Sequence, residues 1–467
     1  MEFKSNKIII DPNDPFENDK LGRKPHVENF TTLLKNISSP IVLSVNAPWG
    51  QGKTTFLEML EGNLQINNCS AIYFSAWETD FVNDPLQAFL GEVNKKIESL
   101  VEGDKEKSKA WVKAKSAGAQ ILKKGLPVLV KLATAGIIDA GKITEAEAAK
   151  FTEGLSKDFL DDYTKSKEAI TSFKENVSKA LKNEDGGASQ LFIIIDELDR
   201  CRPTYAIELL ERIKHLLDIE GLVFVIAMDK LQLSHSVKGV YGAGFEAMGY
   251  LRRFIDIEYI LPESDLDAFI EQLYKVFEFD IFFQKRTQYQ AFRYEKDYLK
   301  NTFKLLAKAK KLSLREVEQL FAKVNLVVKS TAENVYLYPD LLAFLIVAKE
   351  YYYESYSGYI NGGDTPEKLI QVLHSITPSL KSIDSRACAV IESSLIGAKN
   401  DEYQGNIGGA LKYHEDMSSD ESASTDEQNY SHDVVQITKS FDGFRNSIDL
   451  ESLKQRIEML ESFKFNS

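Results

Sequence analysis

The sequence predicts an α/β fold with a mainly parallel sheet, followed by a helical C-terminal region. Two apolar runs rich in β-branched residues, at 41–45 and 191–195, have the length of buried strands and predict the sheet. After Pro262 the strand pattern stops and apolar side chains recur at helical spacing, which predicts the helical region. With 467 residues, of which 43% are hydrophobic, the chain can bury a large core and should divide into two or three domains.

The first apolar run is followed by a glycine-containing loop that opens a helical segment. After Ala47, the residues of this loop are Pro48, Trp49, Gly50, Gln51, Gly52, Lys53, Thr54 and Thr55. In a strand, loop and helix of this kind, backbone N–H groups and the positive end of the helix dipole attract anions. We therefore expect these residues to bind the phosphates of ATP, with Lys53 at the β- and γ-phosphates and the Thr54 hydroxyl in the shell of Mg²⁺. The alternative is a turn that binds no ligand, since the full motif has Gly at the position of Ala47.

The second apolar run ends in two acids, Asp196 and Glu197. Open α/β sheets bind their ligands at this carboxyl end of the strands. Because Mg²⁺ prefers oxygen ligands, we expect Asp196 to hold it, directly or through a water. Glu197 is expected to be the general base that activates the attacking water. The alternative is a pair of solvated acids at the end of a strand.

The segment that follows the second run resembles the signature of the KAP-family P-loop NTPases. It reads Asp-Glu-Leu-Asp-Arg-Cys-Arg-Pro at 196–203, and three other segments agree with the resemblance: Leu21-Gly22-Arg23, Trp49-Gly50-Gln51-Gly52-Lys53 and Phe74-Ser75-Ala76-Trp77. The resemblance covers roughly residues 15–262. It implies a STAND-like or AAA-like ATPase core in which ATP hydrolysis controls a conformational or assembly state. Many bacterial members of the family are linked to exclusion of phages or mobile elements, and others are membrane-anchored scaffolds, so the resemblance leaves both roles open.

Further residues are candidates for the same site. Asp229 follows a third apolar run, where it would act as a sensor that orients the attacking water, or else cap the next helix. Candidates for stabilising charge on the transferred phosphoryl group, in cis or across a subunit boundary, are Arg200, Arg202, Arg252 and Arg253. A salt bridge to a core carboxylate explains each of these arginines at least as well. Arg23 is a candidate contact to the base or ribose, or else an exposed loop residue.

The two motifs are separated by an insertion of about eighty residues at 102–188 that is mostly helical in pattern. Its apolar centre, 117–140, is interrupted by Lys123, Lys124, Pro127 and Lys131. A membrane-spanning helix needs about 18 or more apolar residues in a row, so we expect no transmembrane span here. Packing on a partner subunit is favoured over contact with a membrane surface. The predicted fold is thus a P-loop NTPase with a helical insertion between the Walker A and Walker B motifs.

The region after the core is expected to contain a helical lid at 263–350 and a second helical region at 351–467, with an acidic mobile loop at 414–433. Ser313 and Glu316 form a capping-box pattern at the start of a lid helix. Arg315 resembles by position a lid arginine that senses the γ-phosphate. A solvated arginine at the start of a helix is the alternative.

A basic segment at 285–311 holds nine basic and two acidic side chains, interleaved with aromatic residues. One interpretation is a nucleic-acid surface with phosphate-binding lysines and stacking rings. The other, which we favour, is a pair of helices with aromatic side chains inward and lysines in solvent.

Composition narrows the setting of the protein. The formal net charge of −13 opposes nonspecific wrapping of nucleic acid by the whole surface. Three cysteines are too few and too widely spaced for a metal cluster or a disulfide framework, which predicts a reducing cytoplasm. The N-terminus lacks the apolar core of a secretory signal. We expect a homo-oligomer with a protein effector as partner.

These features leave three functions open. The first is an ATP-hydrolysing switch that assembles with itself, plausible in bacterial defence against phage or foreign DNA. The second is a nonenzymatic scaffold that holds nucleotide and recruits a partner. The third is an ATPase stimulated by nucleic acid through the basic segment.

Overall fold

The structure is a computed structural model, and it describes residues 9–37, 40–124, 157–182, 190–214, 218–362, 364–377, 385–399, 409–441 and 448–462. The chain divides into an N-terminal unit, Ile8–Glu263, and a C-terminal unit that begins at Ser264.

The N-terminal unit is built on a five-stranded sheet in which every pair of neighbouring strands is parallel. The strands are β1 (Ile41–Asn46), β2 (Ser70–Ser75), β3 (Leu191–Asp196), β4 (Leu222–Met228) and β5 (Ile257–Ile260), in the order β2-β3-β4-β1-β5. All residues of β3 and β4 are buried, as expected for central strands covered on both faces. The predicted α/β fold with a mainly parallel sheet is confirmed.

Helices cover both faces of this sheet. They are α1 (Lys24–Lys35), α2 (Lys53–Ile66), α3 (Pro85–Val101), α4 (Lys105–Lys124), α5 (Lys157–Ala180), α6 (Pro203–Ile213), α7 (Lys230–Tyr241) and α8 (Ala247–Leu251). Side chains alternate between the faces along each strand. Leu43 and Val45 therefore share a core with Phe56 of α2, whereas Val42 shares the opposite core with Phe89 of α3.

The insertion between the two motifs contributes α4 and α5 to the described structure. The two helices pack against each other, and Trp111 of α4 and Phe173 of α5 are buried in the same core as α3. Most of the apolar centre predicted at 117–140 lies outside the described residues. Within the described ranges, no helix combines the length and apolar character that crossing a membrane requires.

Within its described residues, every regular element of the C-terminal unit is a helix. Its helices are α9 (Leu266–Val276), α10 (Phe279–Arg286), α11 (Glu295–Ala309), α12 (Leu314–Ser330), α13 (Pro339–Tyr351), α14 (Tyr353–Ile360), α15 (Glu367–Ile376), α16 (Ser385–Gly397), α17 (Gly409–Met417), α18 (Thr425–Ser440) and α19 (Leu450–Glu458). The capping box of Ser313 and Glu316 is present at the start of α12. One hydrophobic core includes buried residues of both predicted regions, 263–350 and 351–467.

The prediction of a mobile acidic loop at 414–433 is wrong for most of that segment. His414 is buried in α17, and α18 begins at Thr425 with a capping box between Ser424 and Glu427. Tyr430 and Ser431 are also buried. The acidic composition reflects the solvent-facing sides of two helices, and the few side chains that face inward anchor both of them.

Candidate functional site

The loop after β1 has the backbone of an anion-binding cradle. Gly50 and Gly52 adopt left-handed φ values of 80° and 78°, which glycine accepts without strain, and α2 begins directly afterwards at Lys53. Among the described residues, no acceptor is found for the backbone N–H groups of residues 50–55. These unpaired donors, together with the positive end of a 14-residue helix, fit the phosphates of a nucleotide.

Lys53 lies inside this cradle with its ammonium group turned toward protein oxygens. Its Nζ donates to the carbonyl of Ala47 at 2.6 Å and lies 3.7 Å from Oδ2 of Asp199. Burial lowers the pKa of Lys53, whereas the charges of Asp199, Asp229 and Asp196 oppose that effect. A phosphate entering the loop would meet a buried cation whose present partners are the carbonyls of Ala47 and Pro48 and the carboxylate of Asp199.

Asp196 ends β3 and is almost fully buried. Its Oδ2 accepts from the Tyr73 hydroxyl at 2.7 Å, and its Oδ1 accepts from the backbone N–H of Glu197 at 2.7 Å. Burial and the neighbouring Asp196 charge both raise the pKa of Tyr73, so this phenol remains a donor. A buried carboxylate at the carboxyl end of a central strand fits a hard divalent cation, and the half-buried Thr54 supplies a hydroxyl on α2.

Glu197 follows in a left-handed conformation, with a φ of 60° that a residue with a side chain rarely adopts. Its Oε1 pairs with the guanidinium of Arg200 at 2.6 Å, and its Oε2 accepts from the Ser75 hydroxyl at 3.0 Å. Both oxygens of the predicted general base are therefore held by neighbours on its own chain.

Asp229 directly follows β4, which lies between the loop strand β1 and the acidic strand β3. Its Oδ1 accepts from the backbone N–H groups of Leu231 and Gln232, each at 3.1 Å, so Asp229 caps α7 as the alternative interpretation expected. Its Oδ2 also accepts from the backbone N–H of Trp49 at 3.2 Å. The cap thus connects β4 to the loop, and the sensor role stays a prediction.

Asp199 joins these segments, and sequence reasoning gave it no role. It lies in the short 3₁₀ turn Leu198–Arg200, with Oδ2 accepting from Trp49 Nε1 at 2.6 Å and from the backbone N–H of Asp229 at 2.7 Å. The signal that could have found it is its spacing of three residues after Asp196, which returns a side chain to the same end of the sheet after one 3₁₀ turn.

Comparison with known proteins identifies the family to which this site belongs. The sequence model of the KAP family P-loop domain matches residues 23–331. The chain belongs to the KAP family. No curated protein matches it. The KAP match extends past the end of the N-terminal unit at Glu263 and ends at residue 331, directly after α12. It is therefore longer than the range of about 15–262 that the motifs cover.

Within the KAP domain, Arg23 supports the loop rather than facing solvent. The side chain is buried, its Nη2 donates to the carbonyl of Gln51 at 3.2 Å, and its Nη1 donates to the carbonyl of Pro262 at 2.5 Å. The expected alternatives were a contact to base or ribose and an exposed loop residue. The geometry gives a third role, in which Arg23 fixes the backbone of the loop after β1 at Gln51.

Arg202 pairs with the Asp80 carboxylate at 2.8 Å, as the salt-bridge alternative expected, and Arg252 and Arg253 are not brought to the loop after β1. Arg252 and Arg253 are exposed and lie four and three residues before Asp256, which exchanges hydrogen bonds with Val42 at the start of β1. The phosphate-binding loop follows the opposite end of β1. A role in cis therefore loses support, and a role across a subunit boundary stays a prediction.

Arg315 is the second residue of α12, is exposed, and belongs to the C-terminal unit. The sensor role assigned to it by position stays a prediction. Contacts of Pro48, Gln51 and Thr55 with a nucleotide also stay predictions.

Proposed function

We propose that this KAP protein binds ATP with Mg²⁺ and hydrolyses it, and that hydrolysis controls a conformational or assembly state. One observation carries the proposal. The unpaired N–H groups of the loop and the buried Lys53 lie at the same edge of the sheet as Asp196 and Glu197. A phosphate cradle, a carboxylate for a hard cation and a base for water are the groups that phosphoryl transfer to water requires.

Each side chain has a distinct task in this proposal. The loop N–H groups and Lys53 bind and orient the β- and γ-phosphates, while Asp196 and Thr54 hold Mg²⁺. When bound, Mg²⁺ neutralises part of the charge on the phosphates. Glu197 takes the proton from the attacking water, and for this it must leave Arg200 and Ser75. The guanidinium of Arg200 is then available to stabilise negative charge on the transferred group.

Substitution of the cradle cation and of the base tests the proposal. Lys53→Ala should abolish ATP binding, because the loop loses its only long cationic side chain. Glu197→Gln should bind ATP normally but lower kcat by about 100-fold or more, the usual effect of losing a general base. The matched control is Glu220→Gln, an exposed acid before β4 at the opposite end of that strand, which should leave both quantities unchanged. Normal turnover in both site variants would contradict the proposal.

A second candidate is supported by the same geometry. Both carboxylate oxygens of Glu197 are held by Ser75 and Arg200, as expected for a protein that keeps nucleotide without hydrolysing it. In that case the chain would be a nucleotide-bound scaffold that recruits a partner. We favour hydrolysis because Asp196 and Glu197 are both intact and a 2.6 Å ion pair that is partly exposed can exchange its partner.

The basic segment at 285–311 gives little support to an ATPase stimulated by nucleic acid. Lys300 and Lys304 of α11 pair with Glu271, and Lys308 pairs with Asp267. Arg286 is fully buried against Glu295. These pairs tie α11 to neighbouring helices and favour the interpretation as a structural helix pair.

The wider setting rests on the family and the composition. We infer a self-assembling switch with a protein effector in the cytoplasm, in bacterial defence against phage or foreign DNA. Support comes from the family's link to exclusion of mobile elements and from the three free cysteines. Self-assembly predicts that the molar mass of the purified protein changes when ATP is added. Light scattering with and without ATP measures that change.

A further inference from the structure

One oxygen of Asp199 connects three parts of the nucleotide site. Oδ2 accepts from the Trp49 indole in the loop and from the Asp229 backbone at the end of β4, and it lies 3.7 Å from the Lys53 ammonium at the start of α2. The Asp199 side chain is only 2% exposed, and that of Lys53 is 9% exposed. Water therefore screens this pair weakly, and the charges interact more strongly than at a surface.

The position of Lys53 makes Asp199 a competitor of the nucleotide. The ammonium now divides its contacts between the carbonyls of Ala47 and Pro48 and the Asp199 carboxylate. Phosphate oxygens in the loop would need the same cation, and the charge of Asp199 would repel them. The indole N–H of Trp49 and the backbone N–H of Asp229 are neutral donors that do not compete for the Lys53 ammonium. Their hydrogen bonds to Asp199 can therefore persist when Lys53 turns to the phosphates.

We propose that Asp199 is a positioning residue that holds Trp49 and Asp229 in place for hydrolysis and yields Lys53 to the phosphates of the nucleotide. This inference rests on the proposed ATP binding and hydrolysis. Its two parts depend on different properties of the side chain. The charge of Asp199 weakens nucleotide binding, whereas its acceptor oxygen orders the loop and the end of β4.

Two substitutions separate charge from hydrogen bonding. Asp199→Asn keeps an acceptor oxygen for Trp49 and Asp229 but removes the charge, so it should tighten ATP binding. Asp199→Ala removes both, so it should lower kcat even at saturating ATP. Glu220→Gln is the control for loss of one negative charge far from the loop, and it should change neither quantity.

The experiment measures the Kd for ATP in the presence of Mg²⁺ by titration calorimetry, and kcat by phosphate release. We expect the Kd of Asp199→Asn to fall about 10-fold, a change of about 1.4 kcal/mol, with turnover retained. We expect the kcat of Asp199→Ala to fall by about 10-fold or more. A melting curve for each variant shows whether it is folded, and if Asp199→Ala is not, the Kd of Asp199→Asn decides alone.

The outcomes also distinguish a failure of the role proposed for Asp199 from a failure of the proposed ATP binding and hydrolysis. An Asp199→Asn variant that binds ATP no more tightly than the wild type overturns the inference, provided that the wild type binds ATP and Lys53→Ala does not. A wild type that binds no ATP overturns both.

Discussion

At the scale of single residues, the cation and the general base of the proposed site both have protein partners. Lys53 is held by Ala47 and Asp199, and Glu197 by Arg200 and Ser75. Sequence indicated Lys53 and Glu197 because each follows a buried strand in a recognisable motif. It could not indicate Ser75 as a partner of Glu197, because 122 residues separate them and only the pairing of β2 with β3 brings them together.

The backbone of the loop gives a prediction at the same scale. Gly52 has a φ of 78°, where a Cβ atom costs roughly 1–2 kcal/mol. Gly52→Ala should therefore lower the free energy of unfolding by about that amount and weaken ATP binding, because relief of the strain moves the loop N–H groups. Urea unfolding and titration calorimetry measure the two effects.

Gly91→Ala is the matched control for this substitution. Gly91 lies inside α3, and a Cβ atom there would meet nothing within 4 Å. Because alanine is the better helix former, this variant should gain about 0.5–1 kcal/mol of stability and bind ATP normally. A Gly52→Ala variant as stable as the wild type, with unchanged ATP affinity, would show that the loop does not need its left-handed turn.

At the scale of elements, sequence indicated the strands better than their order. The runs that became β1, β3 and β4 were recognised from composition and length. An apolar run does not specify which strands lie beside it in the sheet. The position of β4 between β1 and β3 was therefore not predicted from the sequence. That insertion brings Asp229 into hydrogen-bonding distance of both the loop and Asp199.

Four helices of the C-terminal unit meet at one buried carboxylate, Glu392 of α16. Its carboxylate oxygens lie 2.8 Å from Nε2 of His374 on α15 and 2.7 Å from Nε2 of His414 on α17. The Tyr430 hydroxyl on α18 donates to the same carboxylate at 2.6 Å. The histidine on α17 and the tyrosine on α18 both lie in the segment predicted to be a mobile loop. Composition alone cannot show that a few polar residues of an acidic segment face a buried partner.

The Glu392 cluster predicts a dependence of stability on pH. Burial opposes ionisation, but the hydrogen bonds and charges of His374 and His414 outweigh it and lower the pKa of Glu392 from 4.5 to about 2. A carboxyl group with a lowered folded pKa stabilises the fold above its ordinary pKa, and the contribution is lost as pH falls from about 4.5 toward 2. Glu392→Gln should therefore cost roughly 3 kcal/mol at pH 7 and progressively less below pH 4.5.

Urea unfolding followed by circular dichroism at pH 7 and pH 3 measures this difference. Glu421→Gln makes the same chemical change at an exposed position between α17 and α18, and it should have little effect at either pH. A cost of Glu392→Gln that is the same at both pH values would contradict an ionised Glu392 as the stabilising species.

At the scale of the whole molecule, the chain consists of an α/β unit with the site and a helical unit with its own core. The sequence placed the change from strands to helices at 262, and the structure divides the chain after Glu263. The family match reaches residue 331 and includes the first helices of the second unit. The recognisable motifs end earlier in the chain, because those helices carry no residue pattern as distinctive as the loop or the acidic strand end.

The central claim is that the site hydrolyses ATP rather than storing it. The most direct test is phosphate release from ATP by the purified wild-type chain, followed with Mg²⁺ and with EDTA in place of the metal. We predict continuous release that requires Mg²⁺ and exceeds one phosphate per chain. Bound ATP recovered intact after days with Mg²⁺, and no release above one phosphate per chain, would contradict the claim.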